Sequence, residues 1–175
     1  MMPPIVEPII YEKASPEAKV EYEQQYRLTG TVTNTTKTLL HHLPSYKVYE
    51  EWYTLRKALL QFISSRAIVV FSYAISLEGN SLLGTTNFRK ALTDRGENPD
   101  ELFLDDEELA LEQYGRQLAS KPGEVSDALF MHLSQYYSSS QLVALTAYAG
   151  QMIAINVFNS ALRIDLDEYL LHFSS

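Results

Sequence analysis

The sequence predicts an all-α protein of about seven or eight helices, and three observations carry the prediction. Apolar side chains recur at three- and four-residue spacing, and no period-2 alternation survives over the length of a strand. Helix signals also punctuate the chain: Ser15-Pro16, Asn34, Ser64, Asn80, Ser126 and Ser138 at starts, and Gly30, Gly96 and Lys121-Pro122-Gly123 at stops.

Residues 1–14 read as an extended arm. Pro3, Pro4 and Pro8 block helix, while Ile5, Val6, Ile9, Ile10 and Tyr11 need cover, so the arm is expected to lie across the body or a neighbouring subunit. Residues 15–175 read as a single domain. Its first helix starts at Ser15 with Pro16 at the first helical position and stops near Gly30. Asn34 is expected to cap a short helix ending between Leu40 and His42. Pro44 or Ser45 then opens a longer one to Phe62, with Val48, Trp52, Leu55, Leu59 and Phe62 inward. From Ile68 to Leu77 the chain is apolar nearly all round a helix, which marks the centre of a bundle. Gly79 is the expected site of permissive backbone and Asn80 the cap of the next helix, which Gly96 ends. Asp105 to Glu108 crowd the start of a further helix, where negative charge favours the macrodipole; no loop of alternating oxygen ligands follows them, so this is a helix start and not a calcium site. Ser138-x-x-Gln141 is a capping box before the last long helix, from Ser139 to about Leu162. Ala144, Ala147, Gly150 and Ala154 on that helix permit close approach of another, and a subunit contact is expected there. Asn156 and Asn159 are polar within this apolar helix and, if buried, need hydrogen-bond partners, best met by a structural network.

Composition narrows the function. A formal charge of −8 argues against nucleic acid, and no basic patch offsets it. With no uninterrupted apolar run of about 18 residues, a membrane span is not expected. MMPPIVEPII lacks a basic leader, and a cytoplasmic setting is expected. The chain has no cysteine, so neither a disulfide framework nor a Cys-based zinc site is available. His41 and His42 are adjacent and point about 100° apart on a helix, which suits a loop or cap better than one metal ion. There is no P-loop, Gly-x-Gly-x-x-Gly, nucleophile elbow or His-Glu-x-x-His, and no cofactor or metal is expected.

The segment NSLLGTTNFRKALTDRGENPDEL, with the acidic helix start DDEELALEQYGRQLA and the stretch SQLVALTAYAGQMIAINVFNSALRIDLDEYL, resembles the alkylhydroperoxidase and carboxymuconolactone decarboxylase family. The resemblance spans roughly the second two thirds of the chain. In that family a C-x-x-C pair opens a helix here, and its two positions fall on Ser81 and Gly84; a histidine of some members falls on Phe88. The resemblance implies an all-α fold and assembly as a dimer, trimer or hexamer. Thiol peroxidase chemistry is not implied, because a disulfide cycle needs a thiolate to attack the peroxide and a second thiol to resolve the sulfenic acid.

Two functions follow. In the first, a small-molecule pocket survives at the junction and runs acid and base chemistry of the decarboxylase or lactone type. Its candidate groups are Glu78, Ser81, Asn87 and Arg89, with His41 and Tyr73 as additions; Glu78 at the edge of an apolar pocket would hold a raised pKa. In the second, the fold is a non-catalytic oligomeric or interaction scaffold, with Glu78 and Ser81 in ordinary first-turn or capping roles and Arg89 in a salt bridge.

Overall fold

A computed structural model describes residues 3–174; Met1 and Met2 of the expected arm, and Ser175, lie outside the described residues. Among the described residues there are nine α-helices and no strand. They are α1 Pro16–Thr29, α2 Asn34–Leu39, α3 Leu43–Glu51, α4 Tyr53–Leu59, α5 Ser65–Glu78, α6 Leu82–Thr93, α7 Asp106–Ser120, α8 Asp127–Leu133 and α9 Ser139–Ala161. Short 3-10 turns occupy Tyr11–Lys13, Pro122–Glu124 and Glu168–Phe173.

The helix α5 is the axis of the bundle because its sequence leaves no polar face. Every residue from Ala67 to Ser76 is buried, surrounded by α6, α7 and α9. Its two buried serines are accommodated by hydrogen bonds: Ser72 Oγ donates to the Ile68 carbonyl at 2.7 Å and pairs with the Tyr148 hydroxyl at 2.8 Å. The approach of α7 is set by Gly115, where a Cβ would stand 3.0 Å from the Phe71 carbonyl oxygen. Phe71, Ile75, Leu111, Tyr114, Leu145 and Met152 fill the space between α5, α7 and α9. Arg66 then fastens the starts of α5 and α7, donating to Glu97 and the buried Glu108 and to the Phe103 carbonyl.

Ser15, Ser64, Ser126 and Ser138 cap α1, α5, α8 and α9, and capping boxes form at Asp105/Glu108 and Ser138/Gln141. Four local expectations are corrected. Thr33, not Asn34, caps α2; Asn34 begins the helix and its side chain donates to the Asp165 carbonyl at 3.2 Å. The helix expected from Pro44 or Ser45 to Phe62 is divided at Trp52 into α3 and α4. Thr54 Oγ1 takes the Glu51 carbonyl at 2.7 Å and the Leu55 amide turns to the Trp52 carbonyl, a tighter bond that interrupts the α ladder. At the junction after α5 the left-handed residue is Asn80, with φ +49°, while Gly79 has φ −75°. An N-cap needs extended backbone, so the cap of α6 passes from Asn80 to Ser81, with φ −87° and ψ 103°.

The arm is held by backbone and ring contacts. The Ile5 amide donates to the Leu162 carbonyl at 2.9 Å, and His41 Nε2 meets the Glu7 carbonyl at 2.9 Å. Ile9 packs on a small cluster of Ala14, Ala18, Leu39, Leu40 and Tyr46. One helix among the described residues, α9, is long and apolar enough by length and composition to cross a membrane. It also supplies Leu145, Tyr148, Ala149 and Met152 to the core, while Val143, Ala147, Gly150 and Val157 face outward.

A candidate small-molecule site beside the first turns of α6

A cavity of about 280 Å³ lies between α2, α4, α6, α9 and the segment around Asp167 and Tyr169. The first turns of α6 form one wall through Leu83, Gly84, Asn87 and Phe88. Successive turns of α9 form the opposite wall with Tyr148, Gln151, Met152, Ile155, Asn156 and Asn159. Tyr53 and Arg56 of α4 and Glu50 of α3 complete it. Its surface is therefore mixed: apolar walls with a few polar groups converging, the usual make-up of a small-molecule site.

The wall at Gly84 is built from oxygen and nitrogen where the family resemblance places sulfur. Ser81 is 1% exposed, and its Oγ accepts the Gly84 amide at 3.2 Å, capping α6. Asn156, 4% exposed, donates through Nδ2 to Ser76 Oγ at 3.2 Å. A Cβ on Gly84 would collide with Asn156 Oδ1 and would stand 2.7 Å from Ser76 Oγ and 3.0 Å from Ser81 Oγ. Gly84 is thus the one residue type that leaves room for this polar cluster. Two buried acceptors, Asn156 Oδ1 and Gln151 Oε1, have no hydrogen-bond partner among the described residues, and both residues line the cavity. A buried acceptor left unpaired costs about 1–3 kcal/mol, so two at one cavity mark a place where a donor from outside would be favoured.

Burial governs the ionisable groups around the cavity. Asp167 accepts the Asn34 amide at 2.8 Å and lies near Lys37, yet desolvation prevails and raises its pKa. Desolvation, with Glu21 nearby, likewise raises Glu50, and it raises the buried phenol of Tyr148. The cavity thus favours neutral, protonated acids at its rim.

The residues singled out from sequence are dispersed. Asn87 lines the cavity with Gly84 and Phe88, and Ser81 adjoins Gly84. Arg89 is turned to Asp100, at 2.6 and 2.9 Å, and to the Tyr73 hydroxyl at 3.2 Å; this raises its pKa and lowers that of Asp100. Glu78 faces Arg116 at 3.5 Å across α5 and α7, and His41 holds the arm. His42 Nδ1 pairs with Ser45 Oγ at 2.8 Å, away from the His41 contact, and among the described residues no group of three or more His, Asp or Glu could hold a metal ion. Asn159 Oδ1 accepts from Thr35 Oγ1 at 2.9 Å, tying α2 to α9. The cavity residues that sequence reasoning passed over are Arg56, Tyr148, Gln151 and Asp167. Gln151 carried a usable signal, being polar five residues before Asn156 in an apolar helix; Arg56 and Asp167 carried none, since their segments meet α9 only in three dimensions.

No protein-family profile and no curated protein matches the chain. Solved structures do. The debrominase Bmp8 in its apo form aligns with a TM-score of 0.77 at 16% identity, over 99% of this chain and 98% of that one. A cysteine-to-alanine variant of it in complex with 2,3,4-tribromopyrrole gives 0.76 at 16% identity over 99% of both chains. An uncharacterized peroxidase-related protein from Silicibacter sp. TM1040 gives 0.77 at 12% identity, covering 100% and 99%. One from Ralstonia eutropha JMP134, described as an alkylhydroperoxidase AhpD core, gives 0.69 at 12% identity, covering 99% and 98%. At these identities and near-complete coverage the likeness is one of fold: the chain has the all-α alkylhydroperoxidase-like architecture, carried without a cysteine.

Proposed function

We propose that this protein binds a small, partly apolar molecule in the cavity between α4, α6 and α9, and that it does so without thiol chemistry. The single observation that carries the reading is the pair of unpartnered buried acceptors, Asn156 Oδ1 and Gln151 Oε1, at the wall of one cavity. A cavity of about 280 Å³ suits a ligand of one ring with its substituents. Bmp8, whose fold is shared, is described in complex with a single-ring pyrrole, which supports a ligand of that size here. Proton transfer of the decarboxylase or lactone type has acids to draw on in Asp167 and Glu50, whose pKa values desolvation raises. The protein is read as a cytoplasmic homo-oligomer, a dimer, trimer or hexamer, that contacts neither nucleic acid nor membrane. The outward Val143, Ala147, Gly150 and Val157 of α9 support the subunit contact and also a second reading, a scaffold without catalysis.

Thermal melting with a panel of single-ring phenols, pyrroles, lactones and aromatic acids tests the proposal. Binding should raise the melting temperature of the wild type, and Asn156→Leu should abolish the rise for ligands with an N–H or O–H donor. A flat response across the panel would favour the scaffold.

A further inference from the structure

Arg56 stands apart from the other arginines near the core. Arg66, Arg89 and Arg116 each meet carboxylates, whereas no ion pair among the described residues includes Arg56. It is half-buried at the cavity edge, beside Tyr53 and Tyr148. Two carboxyls line that cavity, Asp167 and Glu50; Asp167 accepts the Asn34 amide, and neither forms an ion pair with Arg56 among the described residues. A guanidinium has five donors in a fixed fork and cannot shed its charge, so a half-buried one without an acceptor is suited to an incoming anion.

The second half of the arrangement lies further along α9. Gln151 and Asn156 are five residues apart, about 7.5 Å along the helix axis, and Tyr148 to Asn156 is about 12 Å. Asn156 Oδ1 and Gln151 Oε1 accept and cannot donate, so they are complementary to an N–H or O–H group and not to an anion. The cavity is therefore polarised, with a cation at the α4 edge and the Asn156 acceptor beside Gly84.

Resting on the reading of this cavity as a ligand site, we infer that its ligand is a single-ring acid: Arg56 receives the anionic group, and Asn156 Oδ1 receives a donor carried on the ring.

Isothermal titration of the full chain with 4-hydroxybenzoate, 4-hydroxybenzamide and benzoate separates the two ends. The wild type should bind the hydroxy acid about tenfold or more tighter than the neutral amide, as a charge-assisted fork contact requires. Benzoate, which lacks the ring donor, should bind more weakly than the hydroxy acid. Arg56→Gln should remove the preference for the acid, and an unchanged far-ultraviolet circular dichroism spectrum shows that the variant is folded. Arg56→Lys retains the charge and should retain part of the preference, covering the case in which the glutamine variant fails to fold. If acid and amide bind alike, or if Arg56→Gln keeps the preference, the anion subsite is wrong and the cavity reading stands. If none of the three binds the wild type, both fall.

Discussion

Substituting Gly84 by alanine tests the polar cluster directly, because the structure places three oxygen atoms where the new methyl group would sit. The Cβ would overlap Asn156 Oδ1 and lie 2.7 Å from Ser76 Oγ and 3.0 Å from Ser81 Oγ. Asn156 is buried and tethered to Ser76, so it cannot swing into solvent. Overpacking of this kind costs about 1–3 kcal/mol, whereas replacing a helical glycine by alanine gains about 1 kcal/mol, so Gly84→Ala alone should lose up to about 2 kcal/mol. In an Asn156→Ala background the worst overlap is gone and Ser76 is free to rotate, and the propensity gain should emerge. Urea unfolding of the wild type, both single variants and the double variant should give a coupling of about 1–2 kcal/mol in favour of the double. For a chain of this size that corresponds to a few degrees of melting temperature. Additivity within about 0.5 kcal/mol would mean that the Gly84 wall yields freely, and the packing argument would fail.

Other expectations follow from the same structure. Arg66→Met should destabilise by about 3–5 kcal/mol in urea unfolding, because it strands the buried carboxylate of Glu108; Arg116→Met, which breaks only the more exposed pairs to Glu78 and Glu112, should lose less than about 1 kcal/mol. Burial raises the pKa of Asp167, so the folded state binds its proton more readily than the unfolded chain, and this residue's contribution to stability falls as pH rises between the unfolded and folded values. Asp167→Asn keeps an acceptor for the Asn34 amide and removes that penalty. Unfolding curves should therefore show the variant gaining on wild type as pH rises from 4 to 8; a gain on acidification would reverse the sign. The Ser81→Cys thiol would sit where the serine is 1% exposed, so an aromatic disulfide reagent should label it at least about tenfold more slowly in the native protein than in the urea-unfolded chain. Rapid native labelling would show that the turn before α6 opens.

How far the sequence was legible depended on the range of the interaction. Capping at Ser15, Ser64, Ser126 and Ser138 is settled within four residues, and the structure places those helix starts as expected. The burial of α5 was equally plain, since a helix apolar on all sides has no other place. Asn80 and Asn34 were misassigned for a local reason: asparagine, serine and threonine all cap, and only the backbone angle chosen at Asn80 decides between neighbours. The break at Trp52 depended on whether Thr54 would take a backbone carbonyl, a competition that hydropathy spacing does not register. At the cavity the difficulty is one of distance in sequence. Arg56, Gly84, Asn156 and Asp167 come from four segments; Asn156 stands out as polar in an apolar helix and Gly84 through the family resemblance, but nothing local joins either to Arg56 or Asp167.

That convergence also explains why a pair of point substitutions to cysteine at 81 and 84 would not be tolerated simply. A cysteine at position 84 would need the volume that Asn156 now occupies, and a cysteine at 81 would give up the oxygen that caps α6. The Ser76, Ser81 and Asn156 cluster, with Gly84 as the gap it packs into, is one unit; changing any member leaves another overpacked or unpaired. Restoring both cysteines alone should therefore yield a less stable protein with its thiols held apart by Asn156. Adding Asn156→Ala to that pair should recover stability and bring the thiols within reach of each other, which titration of free thiol after mild oxidation would report. Loss of free thiol in the double variant, with Asn156 still present, would show that the cluster gives way to the disulfide and does not exclude it.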